Sequence, residues 1–215
     1  MLATLALLYN FPRLINPIVE KGFLMKTNTN KTLKLLVLAA MFAAMTTALT
    51  YFVKLPTPGG GYIHLGDSVI YLAACFLPTP YAMLAAGIGG ALSDLFGGYF
   101  MYLLPTFIIK ALIALPFTCR KDKVLTGRNA LMVVPSGIIT IVGYYLTKVV
   151  LLAIDRTTAG DGFLGAFLSP VVWGGALENI PENAVQAVGS AIVFLVIGFA
   201  FDRAKLKNRL AVHST

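Results

Sequence analysis

The sequence predicts an all-α integral membrane protein, a six-helix transmembrane bundle with both termini on the cytoplasmic side. Three observations predict it. Only 12% of the 215 residues are charged and 58% are hydrophobic, where a soluble domain carries about 25% charged residues. Apolar runs of about 20 residues, the length that crosses a bilayer, recur along the chain. The cations are also sorted. Eleven of the seventeen Lys and Arg residues fall into three clusters: Lys26, Lys31 and Lys34; Arg120, Lys121, Lys123 and Arg128; and Arg203, Lys205, Lys207 and Arg209. Asp67, Asp94, Asp155, Asp161, Glu178 and Glu182 sit at the ends of the apolar stretches that lack those clusters. Basic loops stay in the cytoplasm, so the sorting orients the bundle and gathers carboxylates and aromatics at the outer face. The net charge of +8 then belongs to inner loops facing anionic lipid, not to nucleic-acid binding.

The first span is Thr32 to Val53, followed by an outer loop rich in Pro and Gly, Lys54 to Gly66. The stretch from Asp67 to Phe96 is broken by Pro78-Thr79-Pro80 and reads as two short helices, about 67–78 and 80–96, meeting at the inner face. Gly97-Gly98 leads into a fourth helix, about Tyr99 to Pro116, and the basic cluster at 120–128 is an inner loop. The fifth helix is Leu131 to Ile154, residues 155–177 form an outer loop that is partly re-entrant, and the sixth helix is about Pro181 to Phe201. Residues 25–209 are expected to be a single membrane domain, with 210–215 a tail. Met1 to Leu8 is apolar but has no basic region before it, which argues against a signal peptide. Residues 1–24 are therefore expected to be an extension, with translation starting at Met25, or an interfacial helix on the inner surface. Neither Cys75 and Cys119 nor His64 and His213 have the spacing of a disulfide or a metal site.

Four segments carry candidate function. Ala39, Ala40, Ala43 and Ala44 make a smooth stripe at helical spacing, through which a second helix can approach; the alternative is packing inside the same bundle. The loop Gly59-Gly60-Gly61-Tyr62-Ile63-His64-Leu65-Gly66-Asp67 combines backbone freedom suited to a lid with a ring and an imidazole. Asp67 stands at a helix start, where capping competes with ligand contact. Asp94 lies within an apolar run, where a carboxylate is costly unless paired or wetted. Tyr99 and Tyr102 sit at the same level, where an interfacial aromatic belt is the competing role. Lys110, deeper in the fourth helix, is expected to be structural, pairing with Asp94 or with helix-end carbonyls. The densest polar patch is Glu178-Asn179-Ile180-Pro181-Glu182-Asn183-Ala184-Val185-Gln186. Pro181 and the acids suit a first turn. Asn179, Glu182, Asn183, Gln186 and Ser190, however, share one helical face, and a polar face two turns deep in a membrane helix implies a hydrated cavity. Trp173 is placed to close that cavity by stacking.

No G-x-x-x-x-G-K-[ST] loop is present, so ATP hydrolysis by that route is excluded, and H-E-x-x-H is absent. Leu65-Gly66-Asp67 with Asp94 offers paired aspartates for intramembrane proteolysis, but His64 stands where that motif needs Gly. A stand-alone solute transporter is a further alternative, but the loops 54–67 and 155–178 show no inverted repeat.

The alanine stripe of the first helix, the Gly61-Tyr62-Ile63-His64-Leu65-Gly66-Asp67 stretch and the Gly89-Gly90-Ala91-Leu92-Ser93-Asp94 stretch together resemble the substrate-binding S component of an energy-coupling factor (ECF) vitamin transporter over about residues 30–205. The resemblance implies a multi-pass subunit of a bacterial plasma membrane that is itself no enzyme and uses no cofactor. It implies capture of a vitamin in an outer cup under a first-loop lid. It also implies docking through Ala39, Ala40, Ala43 and Ala44 onto a membrane coupling protein driven by two ATPases, with release by toppling. The expected ligand set is Tyr62, His64, Asp67, Asp94, Tyr99, Tyr102, Trp173, Glu178, Asn179, Glu182, Asn183 and Gln186. Cations near the outer polar set are few beyond Lys54, Lys148 and Arg156, so a flat heteroaromatic held by amides, acids and aromatics fits best. The order of expectation is hydroxymethylpyrimidine or thiamine, then pyridoxine, then riboflavin; anionic pantothenate would need Lys110 or Arg156 in the cup.

Overall fold

The computed structural model describes residues 30–56, 62–158 and 162–209. The expectations for residues 1–24, the Met25 start, Gly59-Gly60-Gly61, Asp161, His213 and the 210–215 tail fall outside the described residues. The chain divides into two units, Met1–Val37 with Val212–Thr215, and Leu38–Ala211. The site lies within the second.

The described residues are almost entirely helical. Helix α1 is Asn30–Phe52. A two-stranded antiparallel hairpin follows, β1 (Lys54–Pro56) and β2 (Tyr62–His64), with Lys54 opposite His64 and Pro56 opposite Tyr62. Next come α2 (Gly66–Phe76) and α3 (Thr79–Gly97), then a 3₁₀ turn (Phe100–Tyr102) leading into α4 (Leu103–Ala114). A short α5 (Gly127–Leu131) precedes the long α6 (Val133–Thr158). Two short helices, α7 (Phe163–Leu168) and α8 (Pro170–Ala176), occupy the expected outer loop before α9 (Asn179–Arg203) and the short α10 (Leu206–Arg209). Three helical runs are long and apolar enough to cross a membrane: Asn30–Phe52, Gly127–Thr157 and Pro170–Arg203.

Helix α2 explains the layout. Every residue from Gly66 to Phe76 is buried, which is the signature of a helix apolar on all sides and enclosed by protein. At 11 residues it is about 16 Å long, too short to cross alone, and it packs on α3, α4 and α9. Pro78 and Pro80 force the predicted break, since a proline at the first helical positions has no N–H to lose; α3 starts with Pro80 in its first turn. At the other end of α3, Gly98 adopts φ +79° and its N–H bonds back to Asp94 and Leu95. That left-handed position, open to glycine at no steric cost, swings Tyr99 and Tyr102 round towards the bundle.

The outside of the bundle is apolar. On α6, Val134, Ile138, Val142, Leu146 and Val150 are all exposed, while Ser136, Thr140 and Thr147 are buried. On α9, Val185, Val188, Ile192, Val196 and Phe199 are exposed, while Asn183, Gln186 and Ser190 are buried. This polar-in, apolar-out order is what lipid as solvent demands. The basic end is pinned by hydrogen bonds to the chain itself. The Asp202 carboxylate accepts from the Val124 and Leu125 N–H groups at 2.7 and 2.9 Å. Lys207 donates to the carbonyls of Cys119 and Lys121. Under the cup, about 6 Å along α2 from Asp67, Tyr71 meets Phe117 at 5.0 Å and Phe194 at 5.7 Å between ring centroids, closing the interior.

Candidate functional site

Helix α9 is 25 residues long, about 37 Å, with its polar start and its basic end at opposite ends. The polar start faces the hairpin, the α3–α4 connection and the middle of α6 across one cavity. The cavity is lined by Tyr62 and His64 of β2, Asp94 of α3, Tyr99 and Tyr102 of the connection, Thr106 of α4, Tyr144 of α6, and Asn179, Glu182, Asn183 and Gln186 of α9. The space between these walls is about 470 Å³ when the open solvent at its mouth is included.

Hydrogen bonding sets which atoms face the cavity. The Asn183 amide nitrogen donates to the Asn179 carbonyl at 2.7 Å. A carbonyl only accepts, so Asn183 offers its oxygen to the cup. The Gln186 nitrogen donates to Asp67 Oδ2 at 3.0 Å, and its oxygen is turned outward by the same logic. The Tyr62 hydroxyl donates to Asp94 Oδ1 at 2.5 Å. The other Asp94 oxygen, and the Asn179 side-chain oxygen, are buried without a hydrogen-bond partner. A buried acceptor left unmet costs about 1–3 kcal/mol. The Asn183 and Gln186 oxygens thus present acceptors to the cup, suited to a ligand carrying N–H or O–H groups.

His64 supplies a donor. Its Nδ1 accepts the Gly66 N–H at 3.0 Å, so the neutral ring carries its proton on Nε2. Burial, aided by the Lys110 charge and opposed by Asp67, pushes its pKa down to about 3. The sign follows: between the ordinary value near 6.5 and about 3, the unfolded chain binds a proton that the folded chain refuses. The stabilisation is complete above that ordinary value and is lost as pH falls towards the folded value. Ligand affinity is therefore expected to show no imidazole step between about pH 8 and pH 5. A binding titration across that range checks it, and a midpoint near pH 6.5 that disappears in His64→Asn would contradict it. Burial and the Asp94 charge push the Tyr62 phenol well above its ordinary range, so it stays a donor.

The hairpin is clasped to the bundle by rings. Lys54 Nζ lies 4.7, 5.4 and 5.6 Å from the ring centroids of Tyr51, Tyr62 and Tyr99, and Tyr62 packs on Tyr99 at 4.9 Å. Behind the cup, Lys110 Nζ binds Asp67 Oδ1 at 2.6 Å, with the two side chains 1% and 0% exposed.

Nine of the twelve residues expected from sequence line the cavity: Tyr62, His64, Asp94, Tyr99, Tyr102, Asn179, Glu182, Asn183 and Gln186. Three do not. Asp67 sits one layer behind, and makes no side-chain cap of its helix. Trp173 is turned away: its Nε1 donates to the Phe167 carbonyl at 2.7 Å and its ring packs with Tyr145 and Phe167 between α6, α7 and α8. Glu178 is exposed at the start of α9. Lys110 does not line the cavity, and its partner is Asp67, not the expected Asp94. Thr106 and Tyr144 line the cavity without having been singled out. Tyr144 had a signal, since Tyr144-Tyr145 lies mid-span, away from any interfacial belt.

A family model described as ECF-type riboflavin transporter, S component, matches residues 30–203. The chain belongs to this family. As an S component it falls among transporter subunits, not enzymes. A solved chain described by "Structure and mechanism of the S component of a bacterial ECF transporter" superposes with a TM-score of 0.59 at 20% identity, covering 80% of this S component and 98% of that chain; at that identity the likeness concerns the fold. An "uncharacterized protein in gap 3′region" of Pyrococcus woesei is 29% identical over 161 residues, 73% of this S component and 94% of the relative.

The alanine stripe of the S component is divided by its surroundings. Ala40 and Ala44 are exposed, Ala39 is half-buried and Ala43 is 8% exposed. Ala43 packs against Gly89 of α3, where a Cβ on Gly89 would lie 2.7 Å from the Ala43 carbonyl oxygen. Thr47 Oγ1 bridges the two helices through the Ala43 and Gly89 carbonyls, at 2.9 Å each.

Proposed function

We propose that this S component captures riboflavin in the α9 cup and delivers it through a membrane coupling protein and its two ATPases. The observation that carries the substrate reading is the polarity of the cup: outward amide oxygens of Asn183 and Gln186, the carboxylates of Asp94 and Glu182, one neutral imidazole donor, and tyrosine rings around one open cavity. Riboflavin is an uncharged, flat heteroaromatic with an imide N–H and a hydroxylated chain, so it offers both a stacking face and donors to those oxygens. The family description, which names riboflavin, moves it ahead of hydroxymethylpyrimidine and pyridoxine. Thiamine stays as a second reading for one specific reason: two carboxylates, Asp94 and Glu182, and four tyrosines line the cup, and such walls also suit a cation. Lys110 is neutralised by Asp67, which disfavours anionic pantothenate.

Riboflavin is expected to bind the detergent-purified chain at one per chain with quenched flavin fluorescence, and to be displaced weakly or not at all by thiamine and pyridoxine. Asn183→Ala and Gln186→Ala are each expected to weaken binding at least about tenfold, the scale of a lost buried hydrogen bond with an orphaned partner. Displacement of riboflavin by equimolar thiamine would transfer the site to the second reading.

Docking is assigned to the outward row of α1, Ala40 and Ala44, together with half-buried Ala39. Small residues let a partner helix approach closely where lipid offers no hydrophobic reward for burying large ones. Ala44→Leu is expected to leave riboflavin affinity unchanged while reducing vitamin uptake in membranes containing the coupling protein by about tenfold or more. Equal uptake by Ala44→Leu and the unaltered protein would remove this face from the docking surface.

A further inference from the structure

We propose that Lys110 and Asp67 are positioning residues that fix the polarity of Gln186, so that the cup selects a ligand offering an N–H or O–H group at that point. The inference rests on reading the cup as the riboflavin site. Lys110 and Asp67 do not line the cup, yet both carboxylate oxygens of Asp67 are committed: Oδ1 to Lys110 at 2.6 Å and Oδ2 to the Gln186 amide at 3.0 Å.

The chemistry of that contact is one-directional. An ionised carboxylate beside an ammonium has only lone pairs to offer, so it can hold only the NH₂ end of a glutamine amide. The two ends of the amide are nearly the same size. Turning it over would change the cup from acceptor to donor at Gln186 without changing its shape. Asp67 forbids that turn, and the Lys110 ammonium, 2.6 Å from Oδ1, holds the Asp67 carboxylate in place where it is 0% exposed to solvent. Charge-assisted bonds of this kind are stronger than neutral ones, which suits them to holding one orientation.

The position of Lys110 is itself prepared. Its stem passes α3 at Gly90, where an added Cβ would lie 2.7 Å from Lys110 Cγ. Its ammonium sits 5.1 Å from the ring centroid of Tyr144, a cup residue whose hydroxyl donates to Thr106 at 3.2 Å. One lysine of α4 therefore backs two walls of the cup, Gln186 directly through Asp67 and Tyr144 through its ring. Because the pair is internally neutral, it imposes orientation on the cup without adding net charge to it.

The test is a double-mutant cycle read by riboflavin affinity. The ion pair is removed whole, as Asp67→Leu with Lys110→Met and, separately, as Asp67→Asn with Lys110→Met. Neutral replacement of a complete buried pair is commonly tolerated, and two versions guard against one failing to fold. Each is measured with Gln186 present and in the Gln186→Ala background. If the pair acts through Gln186, its removal weakens riboflavin binding about tenfold in the first background and less than about twofold in the second. A merely structural pair would cost the same factor in both, and that result, or no loss in either, overturns the positioning role. Failure of the unaltered protein to bind riboflavin appears in the wild-type arm alone and overturns the riboflavin reading instead.

Discussion

Lys110→Met, made alone, is expected to destabilise the folded protein by about 3–5 kcal/mol, the cost of leaving one member of a buried ion pair without its counter-charge. Asp67 would then be an ionised or forcibly protonated carboxyl with no exposure to solvent and a single amide donor, Gln186, beside it. The cost exceeds that of losing one neutral hydrogen bond, about 1 kcal/mol, because a charge rather than a dipole loses its partner. The measurement is thermal unfolding in detergent without ligand, compared between Lys110→Met and the double replacement Asp67→Leu with Lys110→Met. The single variant should unfold well below the double one. If the single variant is as stable as the unaltered protein, the Lys110–Asp67 contact contributes nothing to the fold.

Gly89→Ala is expected to cost about 1–3 kcal/mol, the range for overpacking a close helix contact, and to lower the unfolding temperature without touching any cup residue. The added Cβ would stand 2.7 Å from the Ala43 carbonyl oxygen, 2.8 Å from Thr46 Cβ and 3.2 Å from Ala43 Cα. Two of these three atoms belong to the backbone of α1, so relief requires moving a helix rather than turning a side chain. The Thr47 hydroxyl, which holds the Ala43 and Gly89 carbonyls together, would be parted from one of them. Ala44→Leu, one residue along from Ala43 but exposed, is expected to leave that unfolding temperature unchanged. Equal losses in Gly89→Ala and Ala44→Leu would mean that α1 does not distinguish an inner from an outer alanine row.

That contrast shows how far residue patterns reach. The sorting of basic clusters and the Pro78-Thr79-Pro80 break were enough to place the helices near their observed ends, because crossing length, charge bias and proline sterics act locally. The α9 stripe was legible for the same reason. A period of 3.6 residues puts Asn179, Glu182, Asn183 and Gln186 on one face whatever lies opposite, and all four line the cavity. The alanines at 39, 40, 43 and 44 were legible as a smooth surface, but periodicity does not say which side of a small-residue helix meets its own bundle.

By itself the sequence determined a membrane bundle, its helix breaks and one polar helical face, since each follows from neighbours in the chain or from the period of a helix. Only the tertiary structure decided that Lys110 pairs with Asp67, 43 positions away, that Gln186 is held by that same carboxylate, 119 positions away, that Trp173 turns into the α6–α8 cluster instead of over the cup, and that Thr106 and Tyr144 complete the wall. Those choices depend on which faces meet across helices. A buried charge takes the partner that the packed bundle brings within reach, and no spacing along the chain encodes that distance.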